Sequence, residues 1–571
     1  MTNVLSIDFL TGLILLPLLG AAVVFLIPAK HAKMARWVAL GVSLVVAVLA
    51  IGVFYNVQAN PPGPDEWAYE AQAEWFPQLG ATWHVGVDGL SATMVLLTGL
   101  LVPLSILISF EVNDRVSAHM ALFLFLETGL LGVFVALDMM IFFVFWEIGL
   151  VPMYFLIFLW GGENRRYAAN KFFLYTMAGS LGLLLATQLI GYSIGSFDIP
   201  TMIKEWPIFR GEGGEILGVD YGIIRYYALL GFALAFLIKI PAWPFHTWLP
   251  DAHTEAPTAG SMLLAGVLLK LGAYGFLRLA IPLFPDVWVV QRELFSLQYK
   301  LVDVLGFLAM MGIVFGALGA WGQTDFKRLV AYSSVNHMGF VVLGLAVAAL
   351  AYGSVWAEQE RQTEMLAGIA GIDAAEYSGS ELGQKVAEAY PPELREQDRQ
   401  DARTALGGAV LQMFNHGLSS AGMFLLAGAL YHKAHTRDLR RFGGLWDIVP
   451  MFGGLLIFVS MASLGLPGLN GFVGEFMIVA GSFKTYSIYV LLSMFGLLVT
   501  GIYILKGIQS LLHGPVNQEW VDYHQTKHSL EIELREVIAL APLAVLMLVT
   551  GLYPNWVLKV INEGVLRFLG G

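Results

Sequence analysis

Cysteine is absent from all 571 residues. That excludes disulfides, cysteine-ligated iron–sulfur clusters and thiolate chemistry from this chain. Charge is scarce as well. Asp, Glu, Lys and Arg make up 13% of the residues, about half of the roughly 25% carried by a soluble globular domain. There is no Walker A stretch and no Gly-x-Gly-x-x-Gly after a strand, so ATP or a dinucleotide is not bound by those routes. The net charge of −11 gives no support to nucleic-acid binding.

What fills the chain instead is hydrocarbon: 57% of residues are hydrophobic. Apolar runs recur from end to end, each near the ~20 residues that cross a ~30 Å bilayer core. The pattern predicts an all-α polytopic membrane protein with about fourteen transmembrane helices. They fall near 7–28, 36–56, 90–110, 119–137, 139–160, 170–192, 224–245, 258–281, 301–321, 328–351, 404–431, 451–483, 486–511 and 536–559. The first run lacks a basic start and a small-residue cleavage site, and reads as a retained helix, not a signal peptide.

Four loops are basic: Lys30, Lys33 and Arg36; Arg165, Arg166 and Lys171; Lys327 and Arg328; Lys433, Arg437, Arg440 and Arg441. With fourteen spans all four fall on one side, which the positive-inside rule makes cytoplasmic. The opposite loop, 57–89, is acidic and has no Lys or Arg. Both termini are then expected on the outer, periplasmic side of a bacterial inner membrane. One segment, 352–403, is charged and Ala/Glu-rich. It reads as a partly helical outer insertion, either a solvated decoration or a contact with a neighbouring protein.

An ionisable group at membrane depth is costly, and is a functional candidate by default. Glu127, Glu147, Lys239, Lys270 and Glu475 each interrupt an apolar run, as do His337 and His416. The plainer readings are a static ion pair for Glu147 and Lys239, a snorkelling lysine for Lys270, a packing partner for Glu475, and satisfied core histidines. Glu127 lies nearer a span end. Asp138 reads as a loop or helix-cap carboxylate.

Two spans are also broken. Pro241 and Pro244 follow Lys239, and "SLGLPGLNG" precedes Glu475. Proline removes a backbone donor and clashes with the preceding turn. Broken backbone is tolerated in a membrane only inside protein or beside a wet cavity. Paired interrupted helices mark inverted-repeat transporters, so helices 7 and 12 are expected to be discontinuous members of two inverted five-helix repeats. The expected organisation is helices 1–3 in 1–110, a first repeat in 119–281, a second in 301–511, and a C-terminal helix 14 in 536–571. A Glu–Lys pair ~5 Å apart at an effective dielectric of ~20 is worth about 3 kcal/mol. Moving one charge against ~150 mV costs about 3.5 kcal/mol. The magnitudes match, so making and breaking such a pair can help drive a proton across.

The stretches "VFWEIGLVPMYFLIFLWGG", "KIPAWPFHTWLPDAHTEAPTAGSMLLAGVLLKLGAYGF", "DFKRLVAYSSVNHMGF" and "LPGLNGFVGEF" resemble the antiporter-like membrane subunits of respiratory complex I, the proton-pumping NADH:quinone oxidoreductase. The likeness runs from about 88 to about 551. Glutamate on the second broken helix, and only a short stretch after span 14, resemble the M-type (subunit 4) branch. The resemblance implies roles residue by residue. Glu147 modulates the helix-7 lysine, Lys239. Lys270 links two half-channels. His337 belongs to a central hydrophilic axis and His416 is a further axis candidate. Glu475 is the terminal acid of the exit half, and Glu127 is an acid of lesser effect. His246 and His253 line a cytoplasmic inlet. It also implies that this chain holds no cofactor, that FMN, iron–sulfur clusters and quinone reside in other subunits, and that L-type and N-type antiporter-like chains flank it in the bilayer. The alternatives are a subunit of a multi-subunit Na+/H+ antiporter or of a hydrogenase-linked ion-pumping complex, or an inert structural spacer.

Overall fold

With hydrocarbon outside, every backbone N–H and C=O must be satisfied within the chain, and α-helix does this segment by segment. The computed structural model describes residues 8–209, 214–294, 296–370, 392–526 and 529–570. Among them, eleven helices are long and apolar enough to cross a membrane, and Phe9–Phe25 and Pro450–Leu464 are shorter apolar helices.

The principal helices are α1 Phe9–Phe25, α2 Ala32–Ala59, α3 Gly89–Ile108, α4 Val116–Val135, α5 Met139–Ile148, α6 Leu150–Trp160, α7 Arg165–Ile194, α8 Ile199–Glu205, α9 Tyr221–Lys239 and α10 Trp248–Glu255. They continue as α11 Thr258–Leu283, α12 Leu301–Trp321, α13 Phe326–Ala370, α14 Pro392–Ala434, α15 Pro450–Leu464, α16 Asn470–Ser482, α17 Ser487–Leu512, α18 Leu534–Leu552 and α19 Asn555–Leu569.

The two ends of the bundle differ in chemistry. At one end the basic loops meet. Arg36 donates to the Val112 carbonyl at 2.7 Å, Lys171 pairs with Asp251 at 2.7 Å, Arg437 pairs with Asp325 at 3.0 Å, and Lys433 with Glu536 at 2.5 Å. At the other end aspartates start helices. Asp8, Asp88, Asp138, Asp198 and Asp220 cap α1, α3, α5, α8 and α9 through side-chain acceptors, as short carboxylates do for orphan N–H groups.

That second end also carries β1 (Ala68–Phe76) and β2 (Ala81–Val87), an antiparallel hairpin in which Gln72 faces His84. The acidic 57–89 loop is therefore structured, and with two smaller strand pairs it adds a little sheet to a chain expected to be wholly α. Trp83 donates to Thr11 at 2.7 Å, so α1 begins at this hairpin end. α13 and α14 run on well past the spans expected at 328–351 and 404–431, into the charged insertion. Residues 371–391 of that insertion lie outside the described residues.

The expected last span does not run to 559. α18 stops at Leu552, and Tyr553 leaves helical geometry at φ −136°, ψ 66°. Pro554 follows, and the residue before a proline is pushed out of the α region. α19 then crosses the hairpin end: Trp556 meets Phe54 and Phe414, while Phe568 meets Tyr352. The C-terminal region is thus two helices where one was expected.

Candidate functional site

α9 terminates at Lys239, and the chain resumes as α10 at Trp248. The break frees carbonyls, one of which is recaptured: the Trp248 indole donates to the Ile238 carbonyl at 2.9 Å. Lys239 is 2% exposed. Its Nζ lies 4.8 Å above the Trp146 ring, and Trp146 is itself fixed by donating to Ser180 Oγ at 2.9 Å. A desolvated cation on an indole face gains up to about 2 kcal/mol. Lys239 also closes the last turn of its helix, where the negative end of the dipole favours a cation.

Glu147 acts on Lys239 through Coulombic attraction, without an ion pair inside 4 Å among the described residues. Its Oε1 is buried with no hydrogen-bond partner, yet the side chain is partly exposed on the lateral surface, between exposed Val144 and Val151.

Lys270 is fully buried. Its Nζ donates to the Ala265 carbonyl at 2.5 Å. Ala265 lies in the π-helical turn Leu264–Leu268; such turns shift the ladder from i→i+4 to i→i+5. The same Nζ is 2.8 Å from His416 Nδ1. With Lys270 charged, that nitrogen must accept.

The His416 ring lies 5.7 Å from the His337 ring, centroid to centroid. His337 Nδ1 is 2.7 Å from Glu475 Oε1, which also accepts from Gln412 at 2.9 Å. Tyr503 closes the other side of His337 at 3.5 Å. Lys270, His416, His337 and Glu475, all 5% exposed or less, therefore form one buried line through the middle of the bundle.

The second break sits beside the end of that line. Between α15 and α16, Gly465 adopts φ +81°, and a Cβ there would stand 3.3 Å from Glu475 Oε2. Glycine is the residue that reaches this left-handed geometry without steric cost. The start of α16 is pinned to α14 by a reciprocal pair: Asn415 donates to the Asn470 carbonyl at 2.7 Å, and Asn470 to the Asn415 carbonyl at 3.1 Å.

The remaining sequence candidates stand apart. Glu127 is fully buried and neither carboxylate oxygen has a partner. His253 stacks on Phe424 with centroids 4.3 Å apart, and both ring nitrogens are unpartnered. His246 lies edge-on to Tyr332. Asp138 is a cap, accepting from Met140 and Thr82 at 2.8 and 2.9 Å.

Several contributors escaped sequence reading. Lys327 counted there only as a loop charge, but it is 3% exposed and donates to the Ala256 carbonyl at 2.5 Å, beside the end of α10. Gln412, Asn415, Asn470 and Tyr503 carry no charge and gave no signal; the run "LQMFNH" held the only clue, two polar residues one helical turn apart.

Fold and site define a class: a polytopic helical membrane protein whose core carries a line of titratable groups between two broken helices. The chain belongs to the NADH:quinone oxidoreductase/Mrp antiporter transmembrane family, whose sequence model matches residues 136–359 and 401–502. Every residue of the buried line lies in the matched stretches, and the gap between them falls in the charged insertion. The chain is 36% identical to NADH-quinone oxidoreductase subunit M of Pseudomonas aeruginosa, over 98% of each. It is 35% identical to the Escherichia coli K12 protein of that name, over 97% of this chain and 96% of that one. Among solved structures it is similar to a chain of respiratory complex I from Thermus thermophilus, with a TM-score of 0.75 and 27% identity over 98% of this chain and 100% of that one. A chain of the Mrp complex from a Dietzia species has the same fold, with a TM-score of 0.73 and 21% identity over 98% of this chain and 52% of that one.

Proposed function

We propose that this chain is a proton-translocating membrane-arm subunit, of the M type, of an NADH:quinone oxidoreductase. The observation that carries the reading is the buried line from Lys270 through His416 and His337 to Glu475, hydrogen-bonded at both ends and joined in the middle by two imidazole rings 5.7 Å apart, with His416 Nε2 unpartnered. Each member can gain or lose a proton, and no covalent chemistry is needed.

Protons reach Lys239 from the basic end, past the break, and Glu147 sets how firmly Lys239 holds its charge. Lys270 and the two histidines pass charge laterally, and Glu475 delivers it beside the second break. Glu127, His246 and His253 are auxiliary groups. The lateral step is electrostatic: an opposite charge ~5 Å away is worth about 3 kcal/mol at an effective dielectric of ~20, close to the work of moving one charge against the membrane potential.

On this reading the bundle crosses a bacterial inner membrane fourteen times. Helices 4–8 and 9–13 form two inverted repeats, the basic end is cytoplasmic, and both termini are periplasmic. FMN, iron–sulfur clusters and quinone belong to other subunits. A partly exposed carboxylate at membrane depth, such as Glu147, needs a protein neighbour over it, which supports flanking by L-type and N-type chains. A Na+/H+ antiporter subunit would use the same residues; dependence of pumping on NADH oxidation separates the two.

The test is proton pumping by membranes carrying Lys239→Met, with NADH:quinone activity and assembly measured in parallel. Loss of pumping and of coupled turnover in an assembled complex supports the reading. Normal pumping by an assembled complex overturns it.

A further inference from the structure

At the hairpin end, α8, α11 and α19 line an open cavity of about 190 Å³, which begins at Tyr274, one helical turn beyond Lys270 on α11. Three cations line it: Lys204, Arg278 and Arg567. Two of them lie over one indole, with the Arg278 and Arg567 guanidinium carbons 5.0 and 4.1 Å from the Trp67 ring centroid. Like charges gathered at one ring repel, most strongly where water is excluded.

Among the described residues only one acid, Asp88, hydrogen-bonds any of the three cations; Asp65 and Glu70 act on Arg567 at longer range. Asp88 pairs with Arg278 and caps α3 through Oδ1, its Oδ2 being buried without a partner, and Asp65 is the one other acid in the lining. Arg278 gives Nε to Tyr274 and Nη2 to Asp88. Arg567 gives Nη1 to the Glu66 carbonyl. Nη1 of Arg278, Nε and Nη2 of Arg567, and Nζ of Lys204 have no hydrogen-bond acceptor among the described residues. Burial, and the neighbouring Arg278 charge, draw the Arg567 guanidinium below its usual range against the pull of Asp88, Asp65 and Glu70.

The rest of the lining is apolar: Ile199, Ile203, Leu277, Pro282 and Phe568. Two forked guanidiniums and the ammonium of exposed Lys204 suit a phosphate oxyanion. Apolar walls beside them suit the glycerol and first methylenes of an amphiphile better than a free ion. Basic pockets between transmembrane helices on the cytoplasmic side take anionic headgroups by the same chemistry; this one lies at the opposite, hairpin end.

We propose that this cavity binds the phosphate headgroup of an anionic phospholipid, with Arg567 and Lys204 as its principal ligands and Arg278 as a second guanidinium held in place by Asp88. The lipid would wedge between α8 and α19 and tie the C-terminal helix to the bundle.

The whole complex, reconstituted into phosphatidylcholine vesicles doped with phosphatidylglycerol bearing a headgroup-proximal diazirine, tests this. Illumination should label peptides within 199–205 and 555–570. Labelling should fall about tenfold in R567Q/K204Q, the size expected when charge-assisted hydrogen bonds to one anion are lost. The charge-conserving R567K/K204R should retain it, which separates ligand loss from misfolding. Unlabelled phosphatidylglycerol should compete and millimolar inorganic phosphate should not. Absence of label on these peptides, or equal label in R567Q/K204Q, overturns the proposal. Equal competition by inorganic phosphate assigns the cavity to the free ion and overturns the lipid.

Discussion

The two broken helices place their charges in different company. Lys239 ends the helix before its break and touches an aromatic face, with no hydrogen-bonded acid beside it. Glu475 sits in the helix after its break and accepts from His337 and Gln412. Both lie in the half of the broken helix that leads to the hairpin end. The first charge is held by a dipole, a ring and a carboxylate at a distance, none of which fixes its geometry. The second is held by directed bonds. A residue held loosely can gain and lose its proton with little rearrangement, whereas one held by two donors serves as a defined terminus.

Removing each charge therefore gives different side effects. Glu475→Ala leaves the His337 and Gln412 donors buried without an acceptor, which costs about 1–3 kcal/mol each. We expect a less stable complex, read by thermal unfolding of the isolated complex, as well as lost pumping. Glu475→Gln keeps an acceptor and should assemble normally while pumping fails. Lys239→Met removes no hydrogen bond, and losing the ring and dipole attraction is offset by relief of a buried charge, so its melting temperature should fall less than that of Glu475→Ala. Equal destabilisation by Glu475→Ala and Lys239→Met would remove the distinction.

Two glycines probe the same contrast through packing. A Cβ at Gly474 would come 2.6 Å from Gln412 Oε1, and one at Gly272 would come 2.7 Å from the Phe236 carbonyl beside the first break. Overpacking costs roughly 1–3 kcal/mol. Gly474→Ala should displace Gln412 from Glu475 and lower the pumping rate. Gly272→Ala presses on backbone, which cannot swing away, and should lower assembly, read on native gels.

The smallest effect lies outside the membrane. His84 is buried, which alone would lower its pKa, but its hydrogen bonds to Asp198 at 2.6 Å and Glu70 at 3.0 Å prevail and raise it. A raised histidine stabilises fully below its unfolded pKa of about 6.5, and that contribution fades as pH rises through the higher folded value. Asp198, lowered chiefly by His84 and Thr201 against burial, contributes above about 3.8 and loses its contribution below that. Protection of the 68–87 amides relative to the intrinsic, base-catalysed exchange rate should therefore fall at alkaline pH, by a factor matching roughly 1 kcal/mol. In His84→Ala that protection should be low and flat from pH 5 to pH 9.

Sequence reading reached the charges because each stands alone in an apolar run: Glu147 in "FVFWEIGL" and Lys270 in "VLLKLGAY". It reached both breaks because proline and glycine announce them. It did not reach the pairing of Lys270 with His416, since the two lie 146 positions apart and only packing of α11 on α14 joins them. Neutral partners such as Gln412 and Asn470 were invisible for a related reason: amides cost less to bury than charges, so they do not stand out from composition. The α18–α19 corner was missed because apolar residues continue through Trp556, Val557 and Leu558, which masks the turn that Pro554 imposes.

Lateral transfer joins the two breaks, and His416 is its narrowest point. The most direct measurement is proton pumping by assembled complex carrying His416→Phe, a ring of similar size that cannot carry a proton. Pumping should collapse although Lys239, Lys270 and Glu475 all remain. Pumping at the wild-type ratio of protons to electrons would contradict the account, and would leave the two broken helices working apart.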